Sequence, residues 1–146
     1  MVHGRRALPE LTELTATHWT SGASGRLSVQ RCLRCLRWSF PPAPCCRGCW
    51  GTDLAFEPVS GKGALLTWAV VVEPVRAVPA PPYLVGVVDL VEGVRITLGL
   101  LGGGPDTPRV GAPMRLVFEQ LDERIWLPLA EFEDSDAFED RIEAVS

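Results

Sequence analysis

No stretch of the chain approaches the roughly eighteen consecutive apolar residues of a membrane-spanning helix, so no such span is expected. The opening "MVHGRRALPELTEL" has two arginines but no apolar core, which excludes a secretory signal of the usual kind. A cytoplasmic protein with reduced thiols is the expectation. Histidine is scarce: His3 and His18 both fall in the N-terminal segment, and His18 is expected on the surface or in packing rather than as a base. There is no P-loop and no G-x-G-x-x-G. "LGGGPDT" (101–107) reads as a glycine turn with no helix after it, a poor phosphate cradle. The nearest thing to a carboxylate pair is Asp89 with Glu92, and Glu92 falls in a predicted turn, where it is expected to be solvated. No nucleophile, base and acid are grouped for self-sufficient catalysis. Finally, outside residues 32–49 there is no cysteine at all.

What is present is enough for one compact domain with a small satellite. The chain has 146 residues, of which 47% are hydrophobic and 22% charged, an ordinary soluble composition. Thirteen prolines and fourteen glycines favour short strands and turns over long helices. The formal charge of -4 hides an asymmetry. Residues 131–146, "EFEDSDAFEDRIEAVS", hold seven acids and one arginine, so the rest of the chain carries +2. Residues 1–56 hold seven arginines against three acids, a net +4. A basic front suits an anionic ligand or partner, and the acidic end reads as a solvated tail.

All five cysteines lie in "CLRCLRWSFPPAPCCRGC" (32–49). Cys32 with Cys35, and Cys46 with Cys49, form two C-x-x-C knuckles separated by ten residues. Such knuckles can present four thiolates to one tetrahedral Zn²⁺, and with no open position the metal would be structural. So short a segment cannot bury enough apolar surface to fold alone; metal binding replaces the missing core. A pair of disulfides conflicts with a reducing compartment, and a redox site would need only one C-x-x-C. Cys45 is the surplus thiol. Arg31, Arg34, Arg37 and Arg47 sit on or beside the knuckles, where they either offset the negative charge of a four-thiolate zinc or bind phosphate.

Residues 54–127 read as all-β. "LLTWAVVV" (65–72), "YLVGVVDLV" (83–91) and "VRITLGLL" (94–101) are strand-length and rich in β-formers, with Glu92-Gly93 as the hairpin signal between two of them. In "PMRLVFEQL", Met114, Leu116 and Phe118 alternate with more polar neighbours. "DLAFEPV" and "RIWL" are expected to add a strand at each end, giving a small barrel of about five strands. "SGKG" (60–63) marks the kink where the first barrel strand departs. The proline-rich loop "EPVRAVPAPPY" (73–83) is expected to be stiff and extended, either as a rigid connection or as a docking element.

The stretch "LSVQRCLRCLRWSFPPAPCCRGCW" (27–50) goes further than a generic ribbon. It resembles the acyl-CoA-associated zinc-ribbon and OB-fold family, the domain-of-unknown-function thirty-five type. Gln30, Cys32 and Cys35 match that family's opening, Phe40, Pro41 and Pro42 its aromatic-Pro-Pro turn, and Cys46 and Cys49 its close. Leu36, Ala43 and Arg47 depart from its usual glycine, arginine and proline. "THWTSGASGRLSVQRC" resembles its short N-terminal helix with Trp19 in the aromatic place, and "VSGKGALLTWAVV", "PPYLVGVVDLVEGVRITLGLLG" and "RVGAPMRLVFEQL" resemble its barrel strands. The resemblance implies a mainly β fold: an N-terminal helical segment (1–30), a rubredoxin-like zinc ribbon (31–56), a five-stranded OB-fold barrel (57–130) and an acidic tail (131–146). It also implies a non-catalytic accessory subunit. Such a subunit would bind a thiolase-fold enzyme, a thiolase or a retro-aldolase, and also a hydratase-type subunit, in the degradation of steroid or other acyl side chains. The CoA thioester would be a ligand of the complex, and its phosphates or adenine are expected against Arg31, Arg34, Arg37 and Trp38, on charge and aromatic chemistry. The alternative is a nucleic-acid-binding module, which both part-folds can serve. Against it, the chain is acidic overall and the barrel strands lack interleaved aromatic and basic residues. A free-standing acyl-CoA carrier is the third reading, and it leaves the proline loop and tail idle.

Overall fold

The computed structural model describes residues 6–73, 79–104 and 106–133. The acidic tail from residue 134, and the heart of the proline loop at 74–78, lie outside the described residues. Among the described residues no helix is long and apolar enough to cross a membrane.

The chain opens with a short helix α1 (Ala16–Thr20) and a 3₁₀ turn (Ser21–Ser24). Gly25, at φ 79°, ends that turn in the left-handed conformation glycine adopts freely. Three strands follow: β1 (Ser28–Cys32), β2 (Trp38–Ser39) and β3 (Leu54–Pro58), paired antiparallel in the order β2-β1-β3. "DLAFEPV" therefore supplies a strand of the ribbon sheet, with Arg31 facing Ala55 and Gln30 facing Phe56, and not a barrel strand. Its first four residues are all half-buried and Pro58 is exposed, so the strand carries no alternation that would mark which sheet it joins.

β4 (Lys62–Val71), β5 (Tyr83–Leu90), β6 (Arg95–Leu101), β7 (Pro113–Gln120) and β8 (Trp126–Phe132) form a closed barrel in the order β4-β5-β6-β8-β7. β5 and β6 alternate strictly between buried and more exposed residues, as a half-buried strand should. Their inward side chains, Leu84, Val88, Leu90, Ile96, Leu98 and Leu100, fill the barrel. "RIWL" extends further than its four letters: β8 runs antiparallel to β7 along its whole length and closes the barrel on β6 in parallel. Gly93, at φ 93°, makes the β5–β6 turn. Gly61, at φ 77°, and Gly63 make the departure of β4: a Cβ on Gly63 would overlap the backbone carbonyl of Asp89 across the strand pair.

Ribbon and barrel share one core. Leu27, Val29 and Val59 belong to the same buried cluster as Leu65, Ile96 and Met114, and Trp38 and Phe40 pack against it. The N-terminal segment is held to β7 and β8 through Gly22, where a Cβ would come 2.5 Å from the Phe118 ring and 2.7 Å from Cβ of Trp126.

Candidate functional site

The two knuckles fold alike. In the first, the N–H of Cys32 donates to the Arg37 carbonyl and the N–H of Leu36 donates back to the Cys32 carbonyl, each at 2.9 Å. In the second, the N–H of Cys46 donates to Gly51 at 2.8 Å and that of Trp50 to Cys46 at 2.9 Å. The result brings four Sγ atoms within 4.8 Å of one another: those of Cys32, Cys35, Cys46 and Cys49. Across the knuckles, Cys32 and Cys49 are 3.6 Å apart and Cys35 and Cys46 3.5 Å. A tetrahedron of Zn–S bonds of about 2.3 Å sets its sulfurs about 3.8 Å apart, so a zinc ion fits this donor set. Backbone N–H groups of Cys49 and then Gly48 aimed at Cys46 pull its thiol down to about 6, and the N–H of Cys35 pulls that of Cys32 below its usual value. At Cys35 the Arg37 N–H also pulls downward, but the Cys46 thiol, burial and the other two thiols outweigh it and push that group up to about 11, so the backbone turns favour thiolate at Cys32 and Cys46. Cys45, half-buried, stands outside the group of four.

Gln30 is the pin of the ribbon. It is buried, and its side-chain amide donates to the Ala43 carbonyl and accepts from the Ala43 N–H, both at 2.9 Å. One side chain thereby takes the place of a strand partner for the "FPPA" turn and fixes Phe40 and Pro42 in position. The sequence match at Gln30 gives no hint of this role, because the partner is backbone thirteen residues away.

The residues expected to meet CoA are dispersed to different tasks. Arg31 is occupied locally: it pairs with Glu57 at 3.0 Å, donates to the Leu36 carbonyl at 3.1 Å, and stacks its guanidinium 4.8 Å from the Trp38 ring centre. Arg34 crosses to the second knuckle, its Cδ 3.2 Å from where a Cβ on Gly51 would stand. Arg37 likewise crosses, over Gly48. Arg37 and Trp38 then join Arg47, from the second knuckle, and Arg95, from the foot of β6, around a polar cleft of about 520 Å³ between ribbon and barrel. Asp89 also lines it and pairs only loosely with Arg95, at 3.9 Å. Sequence reasoning missed Arg95 as a partner of the knuckle arginines. The one signal was its place just after the Glu92-Gly93 turn. Glu92 itself is half-buried and not solvated: Oε1 accepts from the Ser60 N–H, and Oε2 has no partner among the described residues.

On the other side of Phe40 lies an apolar groove of about 380 Å³, walled by Trp19 of α1, Tyr83, Leu98 and Leu127 of the barrel, and His18. His18 is buried, its ring 4.7 Å from Trp19 and 5.3 Å from Phe40. Burial pushes its pKa down to about 4, so the imidazole is neutral at pH 7 and suits an apolar wall. Phe40 lines both the groove and the cationic cleft.

Comparison with known proteins agrees with this architecture. Residues 19–55 match the family model described as the ChsH2 rubredoxin-like zinc ribbon domain, and residues 56–119 match that of the ChsH2 C-terminal OB-fold domain. The chain is 31% identical over 124 residues to a probable enoyl-CoA hydratase alpha subunit of Thermomonospora curvata, spanning 85% of this chain and only 39% of that protein. It is 30% identical over 125 residues to the benzoylsuccinyl-CoA thiolase subunit BbsA of Thauera aromatica, covering 85% of this chain and 83% of that one. Among solved structures, a chain of the Ltp2-ChsH2(DUF35) aldolase superposes with a TM-score of 0.76 at 30% identity, over 86% of this chain and 98% of that chain. On these grounds the chain belongs to the ChsH2 (DUF35) family of zinc-ribbon and OB-fold proteins.

Proposed function

We propose that the chain is a non-catalytic accessory subunit of a thiolase-fold acyl-CoA enzyme, a thiolase or a retro-aldolase, and that it forms part of that enzyme's CoA and acyl channel. The observation that carries the reading is the adjacency of two unlike clefts. An acyl-CoA is an anionic nucleotide joined to an apolar acyl group. Here a cleft rimmed by Arg37, Arg47 and Arg95 and an apolar groove meet at Phe40. Guanidinium groups pair with phosphate through charge-assisted hydrogen bonds, and the indole of Trp38 offers a face to adenine. Of the four positions first expected to contact CoA, the reading keeps Arg37 and Trp38 and adds Arg47 and Arg95; Arg31 and Arg34 act elsewhere. The likeness to a thiolase subunit and to a chain of an aldolase supports the choice of partner, and the likeness to a hydratase subunit supports a second, hydratase-type partner. The partner supplies the nucleophile. The substrates fit acyl side chains undergoing shortening, those of steroids included.

The test is steady-state kinetics of the purified complex with this chain as wild type or as Arg37→Glu/Arg47→Glu. The expected result is a rise of about tenfold or more in the acyl-CoA KM, equivalent to about 1.4 kcal/mol or more, with the complex mass and zinc content unchanged. An unchanged KM in an intact complex would sink the channel reading.

A further inference from the structure

Among the residues that wall the apolar groove, His18 is the buried polar one. Its ring is held from two sides, by Trp19 edge-on at 4.7 Å and by Phe40 tilted at 5.3 Å. The helix that carries it is anchored in turn, because Gly22 just beyond lies against Phe118 and Trp126. At 4% exposure a polar ring is expected to be hydrogen-bonded. Among the described residues His18 takes one hydrogen bond from a side chain, the Ser21 hydroxyl onto its carbonyl at 3.3 Å, and its imidazole makes none. The ring nitrogens are not sealed in either. The described side-chain atom that is both shut off from solvent and without a partner is Glu92 Oε2. The opening left to the imidazole is therefore the groove that it lines.

The other polar groups of the groove are engaged or wet. Arg6 pairs with Glu119 at 2.9 Å, and the Thr15 hydroxyl donates to the Glu10 carbonyl at 3.1 Å. Tyr83 is half-buried and Thr97 exposed. A neutral imidazole offers one N–H donor and one bare nitrogen acceptor. Being uncharged at pH 7, it has nothing with which to draw a carboxylate, so the group that suits it is an uncharged oxygen. A wholly apolar occupant would displace the water these nitrogens hold and leave both unbonded, whereas an occupant with one well-placed oxygen replaces that water.

We propose that His18 is a specificity-determining residue of the groove, hydrogen-bonding an uncharged hydroxyl or carbonyl oxygen borne on an otherwise apolar acyl group. This rests on the acyl-channel reading above and narrows its substrate class to acyl groups with an oxygen in their apolar body. The aromatic clamp holds the imidazole aimed before the ligand arrives, so little ordering is left for the moment of binding.

The experiment titrates the zinc-loaded full chain with β-naphthol and with β-methylnaphthalene, probes of nearly the same shape that differ by a hydroxyl for a methyl. In the wild type the naphthol should shift the ring-nitrogen NMR resonances of His18, and the methylnaphthalene should not. His18→Phe should keep its zinc and its affinity for the methylnaphthalene but lose about tenfold in its preference for the naphthol. His18→Gln, which restores a donor and an acceptor, should recover part of that preference. An unchanged preference in His18→Phe, an equal loss of affinity for both probes, or resonances that move alike with both would overturn the assignment and leave the acyl-channel reading standing. Should His18→Phe fail to fold, the wild-type resonances decide alone. A wild type that binds neither probe would overturn this inference and the acyl half of that reading, while the KM of the Arg37 and Arg47 variant still judges its CoA half.

Discussion

A chain carrying Cys46→Ser is expected to purify with close to no zinc, where the wild type is expected to hold one per chain, and to lose the ordered ribbon. Cys46 is fully buried, and its Sγ lies 3.5 Å from that of Cys35 and accepts the Gly48 N–H at 3.3 Å. A serine hydroxyl is a harder and far less acidic donor that cannot replace a thiolate toward zinc at neutral pH. The ribbon has little else to hold it, since β2 is two residues long and β1 and β3 five each. Zinc contributes on the order of 10 kcal/mol to small modules of this kind, comparable to the whole stability of an ordinary domain. The loss should spread, because Leu27, Val29 and Val59 share the barrel's core. Metal analysis together with hydrogen exchange over β1–β3 checks the expectation. Cys45→Ser is the control and should keep its zinc and its protection, as Cys45 stands outside the group of four. Full zinc occupancy in Cys46→Ser would mean that the ligand set is wrongly assigned.

Gly63→Ala is expected to destabilise the barrel by about 3 kcal/mol, lowering Tm by roughly 6–12 °C, although it adds a single methyl group. The added Cβ would overlap the Asp89 carbonyl oxygen and stand 3.0 Å from Cα of Leu90. Both are backbone atoms of the paired strand and cannot swing aside as a flexible side chain would. Gly63 is also where β4 pairs on both sides at once, with Leu90 of β5 and Met114 of β7, so the strain reaches both barrel seams. Thermal unfolding of the zinc-loaded protein gives the number. Gly93→Ala offers a comparison, because a Cβ there meets nothing within 4 Å and the cost is confined to its φ of 93°. A Gly63→Ala chain that melts with the wild type would contradict the close strand approach at β4.

Much of this was legible in the sequence because it is local. Two C-x-x-C knuckles carry their own geometry, since a four-residue turn places two thiols on one metal wherever it occurs. The strands β5 and β6 announce themselves through alternation, and Met114, Leu116 and Phe118 do the same for β7. What escaped depends on contacts across long separations. β3 looked like a barrel strand because a half-buried run of four residues fits either sheet, and only its pairing with β1 decides. Glu92 looked solvated because its turn is exposed, while the Ser60 N–H that it accepts arrives from 32 positions away. The knuckle arginines looked like one basic patch, yet neighbours in sequence face different ways around a turn. Arg31 is held by Glu57 and Trp38, Arg34 leans on the second knuckle, and Arg37 reaches the cleft, where Arg95 joins it from the barrel. Spacing gives the inventory of a site of this kind; the assignment of each charge requires the fold.

The measurement that bears most directly on the central claim is affinity purification of the tagged chain from its native cells, with nuclease treatment, followed by native mass determination and an acyl-CoA cleavage assay of the eluate. The account predicts a thiolase-fold subunit in equimolar yield and an activity that falls when this chain is removed. Recovery of the chain alone, or with nucleic-acid-processing proteins and no acyl-CoA activity, would contradict it.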